Sequence, residues 1–68
     1  MSIGERINKL RDERGMTQEE LAALLGTCQQ TMISQIEKGH KQPSLNTAIE
    51  LSNIFGVTMD YLCKGKEA

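Results

Sequence analysis

Sixty-eight residues, 7.6 kDa in all, make one small domain or part of one, able to bury only about 60% of the surface the unfolded chain exposes. Hydrophobic residues are 38% of the chain and charged residues 25%, with a net charge of −1, which suits a folded domain and is too apolar for a disordered one. The longest unbroken apolar run is Leu21 to Gly26 and there are only two cysteines, so the composition argues against a membrane span, a secretory leader and a disulfide scaffold.

The chain opens on a helix start signal. Ser2-Ile3-Gly4-Glu5 fits the capping box, in which a hydroxyl takes one free N–H and a carboxylate three residues on takes another. Ile3, Ile7 and Leu10 then follow the helical period, Glu5 and Lys9 form a surface pair, and Gly15 ends the segment, predicting a helix near 2–14. Thr17-Gln18-Glu19-Glu20 repeats the capping box, and Leu21, Ala22, Leu24 and Leu25 crowd one side of a helix near 18–25 that stops at Gly26. A third helix, near 29–38, ends before Gly39. Ser44, after Pro43, caps a fourth over 45–55. Its stripe is Leu45, Ala48, Ile49, Ser52 and Phe55, broadened by Leu51 and Ile54, and Gly56 closes it. Thr58 caps a fifth helix near 59–63, stopped by Gly65. No run alternates with the period of a strand, so the fold class is all-α, a compact five-helix domain over 1–68.

Two short helices joined by a glycine-containing turn span Thr17 to Lys38 and form a helix-turn-helix pattern. The third helix makes that pattern specific. On a helical wheel Met32, Ile33 and Ile36 form one apolar arc. Gln30, Thr31, Ser34, Gln35 and Lys38 fill the opposite arc, with Glu37 at its edge and Gln29 on the apolar side. An outer face of short-chained polar groups, nearly free of carboxylate, is unusual for a surface helix. A glutamine amide matches N7 and N6 of adenine, a threonine methyl packs on the thymine methyl, and a terminal lysine reaches phosphate.

The runs Met16-Thr17-Gln18-Glu19-Glu20-Leu21-Ala22, Leu25-Gly26, Ile33-Ser34-Gln35-Ile36-Glu37-Lys38-Gly39 and Pro43-Ser44-Leu45 resemble the lambda-repressor-like helix-turn-helix family, also called the xenobiotic-response-element type. The closing Gly56-Val57-Thr58-Met59-Asp60-Tyr61-Leu62 resembles its last helix, so the likeness covers Ile3 to Gly65. It implies a five-helix domain whose third helix enters the major groove of double-stranded DNA. By matching position, Gln30, Thr31, Ser34 and Gln35 resemble the base-reading residues. Gln18 at the start of helix 2, Lys41 and Asn46 resemble contacts to the DNA backbone, and Thr17 and Lys38 are further candidates for it. In this chain the stretch from Gly26 to Gly39 is one residue longer than the family's usual spacing. Because the polar stripe is intact counted back from Ile36, the extra residue is placed in the turn, among Thr27, Cys28 and Gln29.

The charge pattern is local. Residues 38–46 hold Lys38, His40 and Lys41 and no acid, whereas acids gather at Asp12, Glu13, Glu19, Glu20, Glu50 and Glu67. A pI near 5.7 therefore predicts modest non-specific affinity and reliance on base contacts and dimerisation. Two recognition helices about 34 Å apart would read an inverted repeat, and Phe55, Met59, Tyr61 and Leu62, with Val57, are candidate homodimer contacts. One histidine and two separated cysteines assemble no metal site; no cofactor, small-molecule ligand or catalytic group is indicated. Cys28 is a candidate oxidation site in the turn. The function expected is a transcriptional regulator, a repressor in particular, in the cytoplasm of a prokaryotic or phage-infected cell. The alternative is a protein-interaction module of the same fold with weak or no DNA binding.

Overall fold

The computed structural model describes residues 1–26 and 30–65. Five helices follow in order: α1 (Ile3–Glu13), α2 (Gln18–Leu24), α3 (Gln30–Glu37), α4 (Leu45–Phe55) and α5 (Met59–Lys64). Among the described residues there is no strand. The all-α expectation holds, and each helix boundary falls within a residue or so of the position expected from capping and period. The placement of the extra residue among Thr27, Cys28 and Gln29, and the proposed chemistry of Cys28, lie outside the described residues, as does Glu67.

The starts are local chemistry. In α1 the Ser2 hydroxyl accepts from the Glu5 N–H at 3.2 Å while the Glu5 carboxylate accepts from the Ser2 N–H at 3.0 Å. Thr17 and Glu20 close the same reciprocal pair at 3.0 and 2.9 Å on α2. Ser44 and Thr58 cap α4 and α5 through the N–H groups of Thr47 and Tyr61. Each such cap is worth about 1 kcal/mol. At the other ends the five expected glycines all take positive φ. Gly56 shows why: it occupies the left-handed region at φ 67°, where its N–H returns to the carbonyl of Asn53 and turns the chain toward α5.

One core joins all five helices: Ile7 and Leu10 from α1, Leu21 and Ala22 from α2, Ile33 and Ile36 from α3, Ala48, Leu51 and Phe55 from α4, and Leu62 from α5. Burying a side chain of this size contributes about 1.5–3 kcal/mol. Three apolar residues assigned to core stripes lie outside it. Leu24, Leu45 and Ile49 are 58%, 70% and 42% exposed. On α4 the buried arc is Ala48, Leu51, Ser52 and Phe55, and Leu45 and Ile49 fall to one flank of it. Leu51, counted only as broadening the stripe, is fully buried.

Gly4 does work that the sequence did not announce. A Cβ there would overlap the carbonyl oxygen of Ile36 and stand 3.0 Å from that of Glu37. Lacking a side chain, α1 lies directly against the C-terminal turn of α3.

Candidate nucleic-acid interface

The outer face of α3 stands as the wheel predicts. Gln30, Thr31 and Gln35 are exposed, Ser34 is half-buried, and Ile33 and Ile36 point into the core. Lys38, Lys41 and Asn46 are exposed, and among the described residues no ion pair or side-chain hydrogen bond occupies them. Thr17 is exposed at the α2 N-cap and Gln18 beside it is half-buried.

The structure brings two of these candidates into contact. Gln30 Nε2 donates to Gln18 Oε1 at 3.2 Å, joining the first residue of α3 to the first residue of α2 across the helix-turn-helix. Gln18 Nε2 in turn donates to Glu37 Oε1 at 3.0 Å. Lys38, Lys41 and Asn46 make no such contact with this pair among the described residues.

Glu37 sits otherwise than the wheel suggests. Placed by period at the edge of the outer face, its side chain is only 3% exposed. Arg11 grips it twice, Nε to Oε2 at 2.8 Å and Nη2 to Oε1 at 3.2 Å. Asn8 Nδ2 adds a third donor at 3.1 Å. The close approach of α1 at Gly4 carries Asn8 and Arg11 within reach. Arg11 also donates to the carbonyl of Met16 at 2.7 Å, tying the α1–α2 connection to the same cluster. The hydrogen bonds to Glu37 raise the Arg11 guanidinium above its ordinary value. A bidentate, charge-assisted pair of this kind fixes geometry strongly. Arg11, Asn8 and the inward role of Glu37 were not legible in the spacing, because the pair is separated by 26 residues.

Of the four candidate dimer contacts, Phe55 and Leu62 are buried at 3% and 0% exposure inside the monomer. They complete the core and are not available to a partner. Met59 and Tyr61 remain half-buried against it, as does Val57. Arg14 spreads over the Phe55 ring at 5.2 Å and donates to the Phe55 carbonyl at 2.6 Å, sealing that end. Arg6, itself buried, donates to the Leu62 carbonyl at 2.8 Å and so docks the end of α5 onto α1. No helix of the described residues is long and apolar enough to cross a membrane.

The helix-turn-helix family profile matches residues 7–62. An SPbeta prophage-derived, uncharacterized HTH-type transcriptional regulator of Bacillus subtilis, YonR, is 42% identical over 66 residues, covering 97% of this chain and 60% of the relative. The HTH-type transcriptional regulator ImmR of the same organism is 36% identical over 62 residues, covering 91% of this chain and 48% of that one. The present chain therefore spans roughly half to three-fifths of the length of these relatives. Among solved structures, the P22 c2 repressor in complex with a synthetic operator superimposes with a TM-score of 0.89 at 30% identity, covering 97% of this chain and 98% of that one.

Proposed function

The chain belongs to the helix-turn-helix family, in the lambda-repressor-like form that its motifs indicated, and we propose that it is a sequence-specific DNA-binding transcriptional regulator that acts as a repressor. The observation that carries this reading is the outer face of α3: exposed Gln30, Thr31 and Gln35 on a helix whose inner face is locked into the core. In the major groove, Gln30 and Gln35 read adenine through the bidentate amide pairing, Thr31 packs on a thymine methyl, and Ser34 lies near enough to assist. Thr17 and Gln18 at the start of α2, with Lys38, Lys41 and Asn46, hold the phosphate backbone and set the register. The likeness to a repressor crystallised on operator DNA and to a prophage-derived regulator supports a phage-type role.

A single such domain reads few base pairs, so the working unit is a homodimer on an inverted repeat. With Phe55 and Leu62 committed to the core, the exposed parts of Met59 and Tyr61 are what α5 offers to a second copy. The DNA target tests the reading as a whole. Duplexes bound from a random pool near physiological salt should enrich an inverted repeat with half-sites about one helical turn apart. If no sequence is enriched, DNA recognition is refuted and the interaction-module alternative takes its place.

A further inference from the structure

We propose that Glu37 is a positioning residue for base selection: acting through Gln18, it fixes which edge of the Gln30 amide faces the groove and so favours adenine over guanine there. This rests on the reading of Gln30 as a base reader.

The inference follows from donor and acceptor inventory. The Glu37 carboxylate, ion-paired with Arg11, offers only acceptors. The end of the Gln18 amide that faces it at 3.0 Å must therefore be the NH₂ group. An amide carries its oxygen at the opposite end, and that oxygen faces Gln30. Only the Gln30 NH₂ group can satisfy it, at 3.2 Å. One of the two Gln30 N–H bonds is thereby used. The other, together with Oε1, presents one donor and one acceptor. That edge complements N7 and the N6 amino group of adenine. Against guanine, Oε1 would meet O6, acceptor against acceptor. The polarity runs in one direction from a charge that cannot reverse, anchored by Asn8 and Arg11 on α1. Without that charge the Gln18 amide is free to turn over. Its NH₂ would then face Gln30 Oε1, leaving the Gln30 N–H groups toward the groove, an arrangement that suits guanine.

The test uses the enriched duplex and versions in which single adenines are replaced by guanine. The position read by Gln30 is the one whose preference is erased by Gln30→Ala. At that position the unmodified protein should prefer adenine about tenfold or more. In Glu37→Gln the preference should fall to within about threefold, with preferences at other positions kept. Gln18→Met breaks the same relay while leaving the Arg11–Glu37 pair in place, and should give the same position-specific loss even if Glu37→Gln folds poorly. If Gln30→Ala erases a preference that Gln18→Met and Glu37→Gln leave intact, the relay is overturned and the base-reading role stands. If both variants weaken all positions equally, Glu37 is only structural and the proposal fails. If Gln30→Ala alters no position, the base-reading role itself is wrong and the relay falls with it.

Discussion

On α3, Ile33 and Ile36 are each 1% exposed and the Glu37 side chain 3%, whereas Gln30, Thr31 and Gln35, interleaved with them, stand in solvent. The inner residues are held by partners far away in the chain: Gly4, Asn8 and Arg11 on α1 and Gln18 on α2. The outer residues, Gln30 excepted, have no side-chain partner among the described residues. Packed and solvent-facing residues are thus separated on one eight-residue helix. The inner face is closed to change because each group there is packed or paired. The outer face can vary without disturbing the fold, which suits the base-reading role proposed for it.

The separation predicts that substitutions of the packed inner residues act on melting and outer-face substitutions on binding, with Glu37, linked to Gln30 through Gln18, reaching both. Arg11→Met should have the largest effect. It leaves the nearly buried Glu37 carboxylate without its cation, at a cost of about 3 kcal/mol or more in denaturant unfolding. Arg11→Met combined with Glu37→Met should recover much of that loss, since an apolar pair replaces a desolvated ionic one. A double variant no more stable than the single one would show that the pair itself carries the stability. Ile36→Ala should cost about 2–5 kcal/mol by emptying the contact between α3 and the core. Its folded fraction, compared with the unmodified protein at matched folded concentration, should keep its base preferences.

Gln35→Ala lies on the other side of the comparison. It should leave the melting temperature within a degree or two, yet cost about 1–3 kcal/mol on the cognate duplex and relax one position. Equal losses on cognate and random duplexes would remove Gln35 from the reading face. Lys41→Ala should be smaller and unspecific, weakening binding to every duplex and reducing the slope of log affinity against log salt by about one.

The smallest effect concerns the caps. Glu5 and Glu20 are held below the ordinary carboxylate value of 4.5, first by the backbone N–H groups of Ser2 and Thr17 and then by their hydroxyls. A pKa lowered by folding means that the unfolded chain takes up the proton first as pH drops. The stability these caps add is therefore complete above the ordinary value and is lost as pH falls through the lower folded values. Melting followed from neutral pH downward should show the deficit of Glu5→Gln and Glu20→Gln shrinking in acid. A deficit independent of pH would assign the caps' contribution to the hydroxyls alone.

Where a signal is local, the sequence is explicit. Ser2, Thr17, Ser44 and Thr58 cap where hydroxyl and helix period say they should, and the third helix exposes Gln30, Thr31 and Gln35 because a helix turns by a fixed angle per residue. What escapes is set by neighbours from elsewhere in the chain. Leu45 and Ile49 obey helical spacing but, among the described residues, stay largely exposed to solvent. Phe55 and Leu62 read as candidate dimer contacts until the structure buries them, with Arg6 of α1 and Arg14 at its C-cap bonded over that end. Glu37 reads as a polar rim residue because nothing within its own helix reveals that Arg11 waits across the interface.

The division of α3 is tested most directly by following side-chain amide resonances. With the protein labelled at its glutamines, the Gln30 and Gln35 NH₂ signals should shift differently on the enriched duplex and on a random duplex of equal length. The methyl signals of Ile33 and Ile36 should respond alike to both. Identical Gln30 and Gln35 shifts on the two duplexes, or a cognate-specific response confined to α5, would contradict the assignment of base reading to the outer face of α3.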